Sequence, residues 1–368
     1  MVDENLRVPV KKLVSFMEEA LAAMGIPPVD ATIIADVLIT SDLWGIASHG
    51  VAHLKMYHER IKTGLQLPVT RWTVVKDTPT TAVVDGGNGM GMVVGKHAME
   101  IAMQKARQFG IGAVAVRNSS HYGVAGYYPR MALQEGMVGL SMTNAHPSIA
   151  PTFGVIPMLG TNPIAVAAPT DEAFPFLFDA ATAVVTRGKI EVASRAGKPI
   201  PPGWVVGPDG SALTDTSSLI AQMNKDEAAL MPIGGIGELM GGHKGYGLAT
   251  MVEIFSAAFQ NGAYLSGLHD TDAQGNPHFL RIGHFFMAID IEHFIPLETF
   301  KQITGDMMRQ LRGSKTAPDQ ERIFTAGEKE HYNTLHVMEH GVEIAPGVQK
   351  GLSRLINELN LTDPDLGF

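Results

Sequence analysis

DGGNGMGMVVGK, residues 85–96, is the stretch whose reading decides the fold class. It has the look of the glycine-rich turn that seats a dinucleotide pyrophosphate at the start of a helix. Such a turn follows a strand, opens a helix and has an acidic ribose partner about 20 residues further on. TTAVVDGG before it predicts a strand and VVGKHAME after it a helix, so the context half fits. The spacing does not. Gly89, Gly91 and Gly95 read G-x-G-x-x-x-G, one residue too long, and the next strand, IGAVAVRNSS, ends in Arg117 and Asn118. No Asp or Glu stands between Met103 and Gln134. The stretch therefore reads as a structural strand-to-helix turn, and a nucleotide site has to be sought elsewhere.

On either side of that turn the chain alternates. VPVKKLVSFMEEALAAMG (8–25), DATIIADVLITSDLWG (30–45) and SHGVAHLKMYHERIKTG (48–64) carry apolar residues at helical spacing, with Asp30 and Ser48 as N-caps. WTVVKDTPTTAVVDGG predicts two β-rich runs. Helix 93–110, strand 111–120, helix 126–136 and strand 137–145 follow, then strands in 159–170 and 174–185. Residues 194–218, rich in proline and glycine, read as a loop. HKGYGLATMVEIFSAAFQNGA (243–263) is a helix, GHFFMAIDIEHF (283–294) a late strand, and 303–315 and 348–361 amphipathic helices. The expectation is a layered α/β fold around a mixed central sheet, with an additional helical lobe from the N- and C-terminal segments.

Composition bounds the function. Of 368 residues, 45% are hydrophobic and 18% charged, which excludes a disordered chain, and no apolar run is long enough to span a membrane. A net charge of −9 without a basic cluster gives no footprint for nucleic acid. There is no cysteine, hence no disulfide and no thiolate chemistry, and MVDENLRVPVKKL has no export-signal pattern; the cytoplasm is the expected compartment.

Three places could carry chemistry. NSSHYG (118–123) puts His121 just past the end of a strand, where α/β proteins favour reactive side chains, and an imidazole can pass a proton between an alcohol and its carbonyl. SHGVAHLKMYH places His49 and His53 four apart; that spacing can chelate zinc, but no H-E-x-x-H pattern or third ligand accompanies it, so no metal is expected. His49 at a helix N-terminus would be held neutral by the dipole. LGTNPIAV, FDAATAVVTRGKI and GGHKGYGL combine small residues with Arg187, Lys189 and Lys244, a composition suited to anions, and HKGYG opens a helix. No Walker A and no G-x-S-x-G pattern occurs.

SDLWGIASHGVAHL, RNSSHYGVAGYY, TNAHPSIAP, LGTNPIAVAAP, FDAATAVVTRGKIEVASRAGKPIPPGW, GGHKGYGLATMVEI and GHFFMAID resemble, in order and along nearly the whole chain, the type-2 malate/L-lactate dehydrogenase family. That family also includes ureidoglycolate, sulfolactate and diketogulonate oxidoreductases and cyclic-imine reductases. The resemblance implies a non-Rossmann fold using NAD or NADP and a homodimer with its active site near the subunit interface. It also implies hydride transfer on a 2-hydroxyacid/2-oxoacid pair, malate first and lactate next, with ureidoglycolate or a cyclic 2-imino acid as alternatives and a non-catalytic ligand-binding member as the rival from another class. Residues 1–120 with 300–368 would form the substrate lobe and 121–299 the NAD(P)-binding domain.

By position, His121 matches the family's acid/base, and Ser48 and His49 its substrate-pocket S-H-G motif. Lys189 supplies a cationic neighbour. Asn144, Gly160, Thr161, Asn162, Asp179, Ala180, Ala181, Arg187, His243 and Lys244 fall in segments similar to its cofactor site, as do Gly327 and Glu328. Many relatives carry arginine where His53 stands, as a carboxylate clamp, and a basic residue where Trp44 stands; His53 offers no bidentate fork, leaving Arg60, Arg117 or Lys189 to supply the charge.

Overall fold

A computed structural model describes residues 6–272, 274–362 and 366–367. The elements in chain order are β1 (Leu6–Val8), α1 (Val10–Ala23), α2 (Pro28–Leu43), α3 (Leu54–Lys62), β2 (Thr73–Asp77), β3 (Thr81–Asp85), α4 (Gly91–Phe109) and β4 (Ile111–Ser119). Next come α5 (Tyr127–Leu133), β5 (Met137–Thr143), β6 (Ile164–Ala168), β7 (Phe176–Ala180), α6 (Arg187–Arg195), β8 (Val205–Val206), α7 (Leu219–Met223) and β9 (Ala229–Leu230). The chain continues through α8 (Gly242–Glu253), β10 (Ile282–Asp290), α9 (Leu297–Arg312), α10 (Glu328–His340), β11 (Val342–Ile344) and α11 (Pro346–Glu358).

One seven-stranded sheet, in the order β2-β3-β4-β10-β5-β6-β7, forms the centre. Only β3 and β4 pair in parallel; every other neighbour is antiparallel, so the sheet is mixed and lacks the doubly wound parallel arrangement. The late strand β10 inserts between β4 and β5, and strands from both the N-terminal and the middle segments share this sheet. The largest hydrophobic cluster joins Leu13, Phe16 and Met17 of α1 to Ile34 and Leu38 of α2, Met99 of α4 and Leu352 of α11. β1 pairs antiparallel with β11, Leu6 opposite Ile344, and ties the two chain ends together. A second cluster, including Ile149, Ile190, Val205, Leu230 and Ala249, joins the segment between β5 and β6 to α6, β8, β9 and α8.

The turn at 85–96 is occupied by the protein itself. Gly86 N donates to Arg117 O (2.8 Å) and Asn88 N to Asn118 O (2.7 Å), while Gly91 N donates to Ser120 Oγ (2.9 Å) and that hydroxyl donates to Gly89 O (2.8 Å). Its amides clasp the end of β4 instead of a phosphate. A Cβ on Gly91 would lie 2.1 Å from Ser120 O, which explains a glycine there.

Several expected elements differ. The helix predicted from Ser48 begins only at Leu54; residues 47–49 and 51–53 form two tight 3₁₀ turns, and Ser48 makes no capping bond. Asp42, in the last turn of α2, is the cause. Its Oδ2 accepts from Val51 N at 2.9 Å, and Gly50 passes so close that a Cβ there would sit 1.8 Å from Oδ1. α6 follows directly on the 174–185 segment, 205–206 forms a short strand inside the presumed loop, and α10 and β11 occupy a stretch for which the periodicity gave no reading. The predicted helix 243–263 is α-helical to Glu253 and then widens into a π turn, Ile254–Ala258.

Candidate active site

Beyond the C-terminal end of β4 lies a cleft of about 240 Å³. Ser48, His49 and Ile46 form one wall, the segment His121–Ala125 the floor, and Thr143–Ala145, Thr161, Asp179, Ala181 and Thr186 the opposite side. The broken turn after α2 carries His49 and His53 to His121. The three rings stack: centroids are 5.5 Å apart for His49 and His53, 5.7 Å for His49 and His121, and 5.1 Å for His53 and His121.

Burial decides their charge. It lowers His49 below the ordinary histidine value, takes His53 down to about 4 with help from His49 and Arg60, and holds His121 well below 6.5, reinforced by His53, His49 and Arg60. The neutral His49 expected from a helix dipole is thus neutral through desolvation, and Ser48 Oγ lies 2.8 Å from its Nδ1. Tyr57, fully buried one turn after His53, has its hydroxyl 2.8 Å from His121 Nδ1. Gly123 N also donates to Nδ1, at 3.4 Å. A nitrogen that accepts an amide proton is bare, so His121 carries its own proton on Nε2, which makes no hydrogen bond among the described residues.

Arg60 lies in the same neighbourhood: its charge is felt by His53, Tyr57 and His121, and Nη1 is buried without a hydrogen-bond partner. Arg117 points to other duties, with Nε on Asp85 Oδ2 at 2.9 Å and Nη1 on Gln260 O at 3.3 Å.

Asn144 lines the cleft and is fixed on three sides: Oδ1 accepts from Gly283 N (2.8 Å), and Nδ2 donates to Ala263 O (3.1 Å) and Glu253 Oε1 (3.3 Å). Asn162 donates to Glu253 Oε2 (2.8 Å) and Ala249 O (3.0 Å), which holds the turn after Thr161. Asp179 accepts from Gly126 N at 2.6 Å, and burial raises it to about 6. Gly160 packs on Ala145, and Ala180 closes β7 opposite Ile164.

The basic residues stand apart. Lys189 is exposed on the first turn of α6 and does not line the cleft; Arg187 bonds Glu191 (3.0 Å) and Asn224 (2.5 Å). His243 and Lys244 are exposed at the start of α8. Gly327 abuts Pro175 and Leu177 beside β7, and Glu328 is fully buried against Arg322. Sequence reading passed over Asp42, Tyr57, Thr143 and Thr186. Tyr57 had a signal, since it follows His53 by one helical turn; Thr143 had none, because its place depends on pairing between β5 and β10.

The malate/L-lactate dehydrogenase family model matches residues 8–353. The malate dehydrogenase of Pyrococcus horikoshii is 44% identical over 361 residues, 98% of each chain. The L-sulfolactate dehydrogenase of Methanocaldococcus jannaschii is 37% identical, covering 94% of this chain and 95% of its own. The crystal structure of malate dehydrogenase from Entamoeba histolytica superposes with a TM-score of 0.94 at 37% identity, over 98% of this chain and 100% of that one.

Proposed function

Because this chain belongs to the malate/L-lactate dehydrogenase family of oxidoreductases, we propose that it moves a hydride between a nicotinamide coenzyme and a 2-hydroxyacid/2-oxoacid pair, malate/oxaloacetate foremost and lactate next. One observation carries the reading: a half-buried, neutral His121 in the cleft with Tyr57 bonded behind it at 2.8 Å. NAD or NADP would supply or accept the hydride. The residues fit one end of such a coenzyme. A cleft of about 240 Å³ is below the ~300 Å³ at which ligand pockets usually start, so it takes the nicotinamide end alone, between Asn144, Thr161, Asp179 and Ala181. Arg187, Lys189, His243 and Lys244, on the first turns of α6 and α8, are the cations available to its phosphates, with Gly327 and Glu328 beside β7.

In carbonyl reduction, Nε2 of His121 gives its proton to the oxygen and a solvent proton replaces it on the ring, which ends neutral as it began. The Tyr57 hydroxyl, kept protonated by burial, orients the ring at Nδ1. Burial raises Tyr57 well above the ordinary phenol value, and the opposing charge of Arg60 is the smaller effect, so the hydroxyl keeps its proton. In the reverse direction the ring takes up the hydroxyl proton and releases one to solvent. The unpartnered Nη1 of Arg60 is the carboxylate donor that a neutral His53 cannot be. His49 and Ser48 add neutral hydrogen bonds for the remainder of a dicarboxylate. We read the enzyme as cytoplasmic and dimeric; no described helix is long and apolar enough to cross a membrane.

A spectrophotometric screen of NADH and NADPH against 2-oxoacids and cyclic imines tests this. Fastest oxidation with oxaloacetate is expected. Turnover with a cyclic imine alone would move the enzyme to imine reduction, and none with any substrate would sink the reading.

A further inference from the structure

Beneath the cleft floor, on β10, lies a second buried imidazole that no step above uses. His284 is fully buried; its Nδ1 lies 2.8 Å from Thr143 Oγ1 and its Nε2 2.8 Å from Ser119 Oγ. Thr143 Oγ1 donates to Gly283 O and Asn144 O, both at 3.0 Å. A neutral imidazole donates from one nitrogen and accepts at the other, and each hydroxyl can take either role, so the ring bonds both Thr143 and Ser119. Burial keeps the ring neutral, and it bridges two strands, β4 and β5. Its face carries Tyr122, with centroids 4.6 Å apart and planes inclined by 4°, and Tyr122 stacks in turn on Tyr128 at 4.7 Å. Ser119 precedes His121 by two residues and Tyr122 follows it by one.

We infer that His284 is a positioning residue for the reaction: by its edges it holds Ser119 and Thr143, by its face Tyr122, and so it fixes His121 against the cleft. Phenylalanine could fill the same volume but could tie neither strand. Leucine could tie nothing and stack on nothing. The glycine turn at 86–91 grips Ser120 from the opposite side, so the main chain of residues 118–122 is held above and below. Proton transfer is sensitive to that placement, since a displacement of about 1 Å in a reacting group can cost ~10²-fold in rate.

The inference rests on His121 being the proton partner, and the experiment separates the two. His121→Ala, His284→Phe, Ser119→Ala and Thr143→Val are compared for kcat, KM, coenzyme Kd by fluorescence quenching, and melting temperature. His284→Phe should lower kcat about 10-fold or more with KM and coenzyme Kd unchanged. Wild-type kcat with only a lower melting temperature would overturn the proposal, as would a loss accompanied by failed coenzyme binding, which reports a collapsed cleft. Where His284→Phe does not fold, the two end-cutting variants decide: reduced kcat in both supports the role, and wild-type kcat in either refutes it. Full turnover in His121→Ala would instead remove the reading on which this one stands.

Discussion

Three histidines stacked within 5.7 Å of one another would repel strongly if charged, and burial keeps them neutral instead. A depressed imidazole is neutral above its own value and takes up a proton only below it. The free enzyme should therefore show no histidine limb near pH 6.5. The histidines should lower kcat/KM only as the pH approaches the value of about 4 to which His53 is pushed, whereas Asp42 and Asp179, raised by burial to about 7 and about 6, take up protons first. A pH series of kcat/KM, which reports the free enzyme, checks this in the wild type, Asp42→Asn and Asp179→Asn, and a limb centred near 6.5 that survives both substitutions would show that the cluster is hydrated. At the same scale, His121→Ala should cut turnover roughly 10²-fold or more while NAD(P)H binding persists, the usual size of an acid–base contribution. The two measurements are independent, since one asks what charge His121 carries and the other what it does.

The elements matter through how they end. β4 delivers His121 because the turn between β3 and α4 grips its last residues, and that grip requires Gly91 to approach Ser120 O with no side chain between them. Gly91→Ala forces a contact of 2.1 Å against backbone. It should destabilise the fold by about 1–3 kcal/mol, the range for overpacking, and lower kcat through the displaced histidine segment. Urea unfolding with parallel kinetics tests it; unchanged stability and unchanged rate would mean that the turn has slack. The same logic explains the break before α3. Helical spacing predicted a continuous helix from Ser48, yet the Asp42 carboxylate draws Val51 N toward α2 and bends the chain at Gly50. That bend brings His49 to the cleft wall.

For the whole molecule, the loop before α8 and the loop between β5 and β6 leave apolar side chains in water. Leu239 is 96% and Met240 79% exposed in the first, and Phe153 79% and Ile156 62% in the second. The two loops are tied through Ala150 N and Leu230 O at 3.0 Å. Surface of this kind on a protein of net charge −9 fits a second copy of the chain better than open solvent. Sedimentation equilibrium should give a dimer, and the double variant Leu239→Asp, Met240→Asp should shift it toward monomer and lower activity. A wild-type monomer with full activity at micromolar concentration would refute the expectation.

Much of this was legible in the sequence. The extra residue in G-x-G-x-x-x-G and the missing acidic partner excluded the parallel dinucleotide fold, the alternation of periods gave the α/β layers, and NSSHYG placed His121 at a strand end. These are local properties, carried by spacing along the chain. Only the tertiary structure separates the cations: Arg117 is paired with Asp85, Lys189 faces solvent, and Arg60 lies half-buried beside the histidines, its Nη1 without a hydrogen bond among the described residues. It alone brought Tyr57 and His284 to the histidine segment and made the imidazoles neutral. Protonation follows from desolvation and from neighbours distant in sequence, and neither exists until the chain has folded.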